Sequence, residues 1–177
     1  TAGAVTNAGS IQGKHVVLLS PDINNSGSLS AVDGNVGLIN ADQANASTLS
    51  ISQASTVAGV IKNTGTIQAT QVNVGNGLVV LLGDNSQSSS HIDVSGTVNA
   101  AASSTFTGRN VNVVNDLAQV NSLNMTATNG ININADVNIT GNSNLSLTTG
   151  SAGYALNYGS KVNLAGAAPT FSVNGMP

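Results

Sequence analysis

One seven-residue phrase is written four times in this chain. It reads VTNAGSI at 5–11, INNSGSL at 23–29, IKNTGTI at 61–67 and IDVSGTV at 92–98. The copies align on Gly9, Gly27, Gly65 and Gly96. Four residues earlier stand Val5, Ile23, Ile61 and Ile92. Ser or Thr follows each glycine, then an apolar residue: Ile11, Leu29, Ile67 or Val98. Two residues further on comes a small residue: Gly13, Ala31, Ala69 or Ala100. A repeat of this kind constrains the fold before any other feature, because each copy must build the same unit.

The unit reads as a short strand, a corner at glycine, and a second short strand whose side chains alternate inward and outward. Glycine at the corner permits either a positive φ or close approach of another backbone. The small residue marks a crowded inward position or a second corner. Apolar or alternating segments lie between and beyond the phrases, as in HVVLL from His15, NVNVV from Asn110 and LSLT from Leu145. They read as further short strands.

Spacing sets the architecture. Gly9 and Gly27 are 18 residues apart, and the related segments starting at Leu123 and Leu145 are 22 apart. A period near twenty with no helical pattern predicts an all-β chain, a β-solenoid of about eight stacked coils whose equivalent strands pair in parallel. Such a stack would be roughly 40 Å long at the usual strand spacing. A β-sandwich also has many short strands, but it does not require one phrase repeated in register.

Residues 1–177 thus form a single domain, with two departures from the period. Gly27 and Gly65 are 38 residues apart, which is two coils, or one coil plus an excursion. The excursion is favoured, and it places an extra-helical hairpin at 41–58 around Leu49 and Ile51. Gly65 and Gly96 are 31 apart, and the spare residues are placed in a loop at 85–91. The expected interior is Val5, Ile11, Ile23, Leu29, Val36, Leu38, Ile61, Ile67, Ile92 and Val98.

Composition agrees with this reading. Only 6% of residues are charged, none is Glu, and aromatics make up 2% against 40% apolar residues. Such a chain lacks helix-favouring surface residues and builds a narrow core from Val, Ile, Leu and Ala. There is no Cys, so disulfides and Cys-ligated metals are excluded. The four basic residues, Lys14, Lys62, Arg109 and Lys161, are scattered, which argues against nucleic acid as a partner. The apolar runs VVLL at 16–19 and LVVLL at 78–82 are too short to span a membrane as helices.

The segment 5–41, VTNAGSIQGKHVVLLSPDINNSGSLSAVDGNVGLINA, resembles the filamentous haemagglutinin family of two-partner-secreted exoproteins, which includes the high-molecular-weight adhesins. The likeness returns in GVIKNTGTIQA and SHIDVSGTVNA and is compositional beyond about Val114. It implies a right-handed parallel β-helix, often interrupted by an extra-helical hairpin. It also implies export through an outer-membrane secretion partner to the bacterial cell surface or the medium. The family's secretion domain carries NPNL and NPNG motifs. This chain has no Asn-Pro, its prolines being Pro21, Pro169 and Pro177.

Residue chemistry argues against an enzyme. Asp22, Asp33, Asp42, Asp84, Asp93, Asp116 and Asp136 stand singly, whereas glycan-active β-helices need clustered carboxylates. Stacking one coil apart would bring Asp22 to Asp42 and Asp116 to Asp136, most simply as solvated corners. Ser90, His91 and Asp93 do not make a triad, because neighbours along a strand face opposite ways. No catalytic, cofactor-binding or metal-binding residue is expected.

A weak surface contact is conceivable on a polar array: Thr105, Thr107, Thr126, Thr128, Asn110, Asn112, Asn132 and Asn134. TFT at Thr105 and TAT at Thr126 are 21 apart and would stack. The expected function is a non-catalytic β-helix segment of an adhesin or filament, acting as a rigid stalk or adhesive surface. Its expected partners are the secretion partner and a host-cell or matrix glycan or protein receptor. The alternative is a fibre subunit that self-associates end to end, and a glycan-active enzyme stands third. At the ends, Val5 begins a coil at once, while Pro169, Phe171, Met176 and Pro177 are expected to cap the last one partly.

Overall fold

The computed structural model describes residues 3–40, 60–69, 77–84, 88–119, 121–139, 144–150, 153–156, 161–164 and 170–174. Among these residues the protein is all-β, and its parallel strands form a nearly closed, barrel-like wall. In chain order the strands are β1 (Ala4–Asn7), β2 (Ser10–Gly13), β3 (Val16–Leu19), β4 (Asp22–Asn25), β5 (Ser28–Ala31) and β6 (Val36–Ile39). Then come β7 (Val60–Asn63), β8 (Thr66–Ala69), β9 (Leu78–Leu82), β10 (His91–Val94), β11 (Thr97–Ala100) and β12 (Ser103–Val113). The last are β13 (Leu117–Gln119), β14 (Ser122–Ile133), β15 (Val137–Ile139), β16 (Asn144–Thr149), β17 (Gly153–Leu156), β18 (Val162–Leu164) and β19 (Thr170–Val173).

The strands fall into three rows. One row runs β1, β4, β7, β10, the second half of β12, the second half of β14, then β17. A second runs β3, β6, β9, the first half of β12, the first half of β14, β16, then β19. The third comprises β2, β5, β8 and β11, continued by the separate ladder β13, β15, β18. Every ladder is parallel, and the phrase copies pair residue for residue: Val5 with Ile23, Ile23 with Ile61, Ile61 with Ile92. One circuit of chain therefore returns each phrase beside its predecessor.

This pairing resolves the 38-residue gap. Strand β4 pairs directly with β7, and β5 with β8, so a single circuit separates Gly27 from Gly65. The extra residues fall between Asn40 and Val60. The segment 41–58 itself lies outside the described residues. Of the loop at 85–91, Ser88 and Ser89 form a turn, whereas His91 already opens β10. Residues 85–87 lie outside the description.

The core is a narrow column of aliphatic side chains, filled as the composition requires. Ile23, Leu29, Val36, Leu38, Ile61, Ile67, Ile92 and Val98 are all buried. Phe106 is the one aromatic side chain in this buried core. Val5 and Ile11 correct the expectation. Val5 is half-buried and Ile11 is 37% exposed, because the first circuit has no described neighbour on its outer side. Ala31, Ala69 and Ala100 are buried, so the small residue of the phrase marks a crowded inward site.

Candidate functional site

The phrase corner is where sequence and chemistry meet most closely. Asn7, Asn25 and Asn63 stand two residues after the inward Val5, Ile23 and Ile61, so strand alternation turns them inward as well. All three are buried. The Asn7 Nδ2 donates to Asn25 Oδ1 at 2.8 Å, and the Asn25 Nδ2 donates to Asn63 Oδ1 at 2.7 Å. The ladder ends on Asn63, whose Nδ2 donates to the Gly65 carbonyl at 3.4 Å. Val94 takes the next position and is fully buried.

Backbone bonds knit the same corner. The Asn7 carbonyl accepts from the Ser26 and Gly27 amides at 2.8 and 3.0 Å. The Asn25 carbonyl accepts from Thr64 and Gly65 at 2.9 and 3.0 Å, and the Asn63 carbonyl from Ser95 and Gly96 at 2.9 and 3.0 Å. Glycine is required here by close approach. A Cβ on Gly27 would overlap the carbonyl oxygen of Gly9, one on Gly65 that of Gly27, and one on Gly96 that of Gly65. None of these glycines is among the residues with positive φ.

Ladders on the outside are separate from this one. The Asn112 Nδ2 donates to Asp93 Oδ1 at 2.7 Å, and the Asn132 Nδ2 donates to Asn112 Oδ1 at 2.9 Å. The Asn129 Nδ2 donates to Asn110 Oδ1 at 2.8 Å, while the Asn110 Nδ2 donates to the Ser90 carbonyl at 3.4 Å. Asn134 is exposed, and its amide N–H donates to the Val113 carbonyl at 2.9 Å. The threonines stack in a shifted register. Thr107 pairs with Thr126 and Thr126 with Thr148, whereas Thr105 pairs with Asn124, not Thr126. Thr128 is exposed beyond this row.

The second row of strands changes character along its outward side. Leu19, Ile39 and Leu82 are followed in register by Thr107, Thr126 and Thr148. Ile39 is fully buried yet stands apart from the core column. The sequence carried a signal for this: VVLL and LVVLL are continuous apolar runs, the pattern of strands covered on both faces.

Three carboxylates accept backbone amides of a neighbouring circuit. Asp116 Oδ1 accepts from the Asp136 amide at 3.0 Å, and Asp136 Oδ1 accepts from the Lys161 amide at 2.8 Å. Asp116 and Asp136 thus stack one circuit apart, as their spacing predicts. Asp22 Oδ1 accepts from the Val60 amide at 3.1 Å, and its expected neighbour Asp42 lies outside the described residues. Ser90 is buried, with its Oγ 3.3 Å from Asp84 Oδ2, while His91 faces outward and pairs with Asp93 at 3.4 Å. Ser90 and His91 therefore point apart. Among the described residues no three of His, Cys, Asp and Glu cluster for a metal ion. No helix among them is long and apolar enough to cross a membrane.

At the far end a hollow of about 540 Å³ is lined by Ile133, Leu147, Tyr154, Lys161, Leu164 and Phe171, among others. Phe171 is 40% exposed there and does not close the column. Pro169, Met176 and Pro177 lie outside the described residues. No family model matches the chain, and no curated protein or solved structure does.

Proposed function

We propose that the chain is a non-catalytic segment of a right-handed parallel β-helix, exported to the bacterial surface or the medium, where it serves as a rigid stalk or adhesive face. One observation carries this reading: the phrase copies stack in parallel and in register, with the same corner bonds at each step. Such a stack resists bending because every circuit is hydrogen-bonded to the next along two rows, and along the third everywhere but between β11 and β13. Seven strands occupy each row among the described residues, which favours about seven coils over the eight expected from length. The connection from β6 to β7 carries the surplus residues, which favours an extra-helical hairpin at 41–58.

Export through an outer-membrane partner follows from the resemblance of residues 5–41 to filamentous haemagglutinins. A glycan or protein receptor would meet the Thr107, Thr126, Asn112 and Asn132 side of the stack, where neutral hydrogen-bonding groups recur at strand spacing. Beads coated with the chain and washed over host-cell and matrix-glycan layers test this. Retention that falls on Thr126→Lys or Asn112→Lys substitution supports the adhesive face. No retention, with the stack intact by spin labels, supports the stalk. Loss of the parallel stack itself overturns both.

A further inference from the structure

The two histidines of the chain hold their protons on opposite ring nitrogens. The Nδ1 of His15 accepts from the Asn35 amide at 3.2 Å, so the neutral ring carries its proton on Nε2. The Nδ1 of His91 lies 2.9 Å from the Ser89 carbonyl oxygen. A carbonyl can only accept, so His91 donates from Nδ1, and its neutral ring has the free lone pair on Nε2. That lone pair faces Asp93 Oδ2 across 3.4 Å. In the neutral ring two acceptors thus face each other.

The strand places the pair. His91 and Asp93 are two residues apart in β10 and share its outward side, while Ile92 between them is fully buried. The carboxylate is held from its other oxygen. Asp93 Oδ1 accepts from Asn112 Nδ2 at 2.7 Å, and Asn112 Oδ1 accepts from Asn132 Nδ2 at 2.9 Å. Each group is therefore oriented by a hydrogen bond on its far side, His91 through Ser89 and Asp93 through Asn112. Imidazole and carboxylate ligands of metal ions are held in this way. The two side chains are 35% and 27% exposed, which leaves water access to the space between them.

The separation discriminates between a proton and a metal ion. A hydrogen bond from imidazolium to carboxylate closes to about 2.7–2.9 Å. Zinc takes nitrogen and oxygen ligands at about 2.0–2.2 Å, and at the tetrahedral angle two such atoms lie about 3.3–3.5 Å apart. The observed 3.4 Å matches the second spacing. We propose that His91 Nε2 and Asp93 Oδ2 form a surface zinc site on the outward side of β10, with water in the remaining positions. Two protein ligands make it an exchangeable site and not a structural one. Lys62, the register neighbour of Asp93 on β7, sets a positive charge beside the site and weakens it. His15 offers a proton where His91 offers a lone pair, so it takes no part. The site is independent of the stalk or adhesive reading.

The test is a zinc titration of the isotope-labelled, tag-free full chain at about pH 7.5, above the ordinary titration range of imidazole. Nuclear magnetic resonance reads the ring nitrogens, and calorimetry reads uptake. Zinc should shift the His91 Nε2 resonance and leave the His15 nitrogens in place. His91→Gln and Asp93→Asn should each weaken uptake about tenfold or more, equal to ~1.4 kcal/mol. His15→Gln should leave uptake unchanged, and Lys62→Gln should strengthen it. The resonance readout uses the native chain, so it decides the matter even where a variant fails to fold.

No shift of His91 Nε2 with zinc in large excess, equal shifts at His15, or uptake that Asp93→Asn leaves unchanged would overturn the proposal. A proton found on His91 Nε2 before zinc is added would also overturn it, in favour of an imidazolium–carboxylate pair.

Discussion

Inside the column, the Asn7 side-chain amide donates to the side-chain Oδ1 of Asn25 across a distance of 2.8 Å, 18 residues away in the chain. Asn25 passes the pattern on to Asn63. Buried amides are stable here because each has partners in the circuits beside it, and the cost of desolvation is met only while the row is complete.

Breaking one rung should therefore cost more than removing the ladder. Asn25→Val strands the Asn63 Oδ1 without its donor and weakens Asn7, which keeps only the Ser28 carbonyl at 3.3 Å. A loss of about 1–3 kcal/mol is expected. The triple variant with Val at 7, 25 and 63 repeats the solution already present at Val94, and should lose less than the single variant. Urea titration of both chains checks the order. A triple variant that is the weaker by the sum of three single losses would contradict the ladder.

Gly65→Ala should destabilise the chain by about 2 kcal/mol or more, since its Cβ would overlap the Gly27 carbonyl, which is backbone and cannot swing aside. Thermal melts would show it. A Tm equal to that of the native chain would mean that the corners are not stacked.

Val36 is fully buried and Asn35 lies between circuits, its Oδ1 accepting from the Leu78 amide at 3.0 Å. Val36→Asp buries an unpaired charge and should cost about 4 kcal/mol or more. Asn35→Asp keeps the acceptor and should shift stability by less than about 1 kcal/mol. Equal losses on chemical denaturation would show the inward and outward positions to be misassigned.

Replacing 41–58 by a short Gly-Ser link should leave a folded, β-rich protein, because β4 already pairs with β7 without it. Changing loop length twofold costs only about 0.6 kcal/mol. Collapse of the β circular-dichroism signal would mean that the segment holds a place in the stack.

Much of this was legible in the residues. Four glycines in fixed register with apolar partners require equivalent units, and parallel stacking follows from a period near twenty. Ile23, Leu29, Ile61 and Ile67 were readable because strand alternation separates them from polar neighbours. Asn7, Asn25 and Asn63 were not read as inward, because a polar residue in a repeat is ordinarily taken for an outward one. Alternation from Val5 places Asn7 on the same side, and that was the available signal. The offset of Thr105 from Thr126 was hidden because a circuit here spans 19 residues where the segments suggested 21. Exposure of Val5 and Ile11 depends on what lies beside the first circuit, which periodicity does not state.

The most direct test of the stacked, parallel arrangement is a ruler along one outward row. Thr6, Asn24, Lys62, Asp93, Asn112, Asn132 and Ala155 follow one another in register from β1 to β17. Nitroxide labels at Thr6 and Asn112, four steps apart, should lie about 19 Å from each other at the normal strand spacing. Labels at Thr6 and Ala155, six steps apart, should lie about 29 Å from each other. Pulsed electron–electron double resonance measures both. Backbone separations that grow by one strand spacing per step would bear out the account. A Thr6 to Ala155 distance no longer than that from Thr6 to Asn112 would mean that the row folds back on itself, and would contradict it.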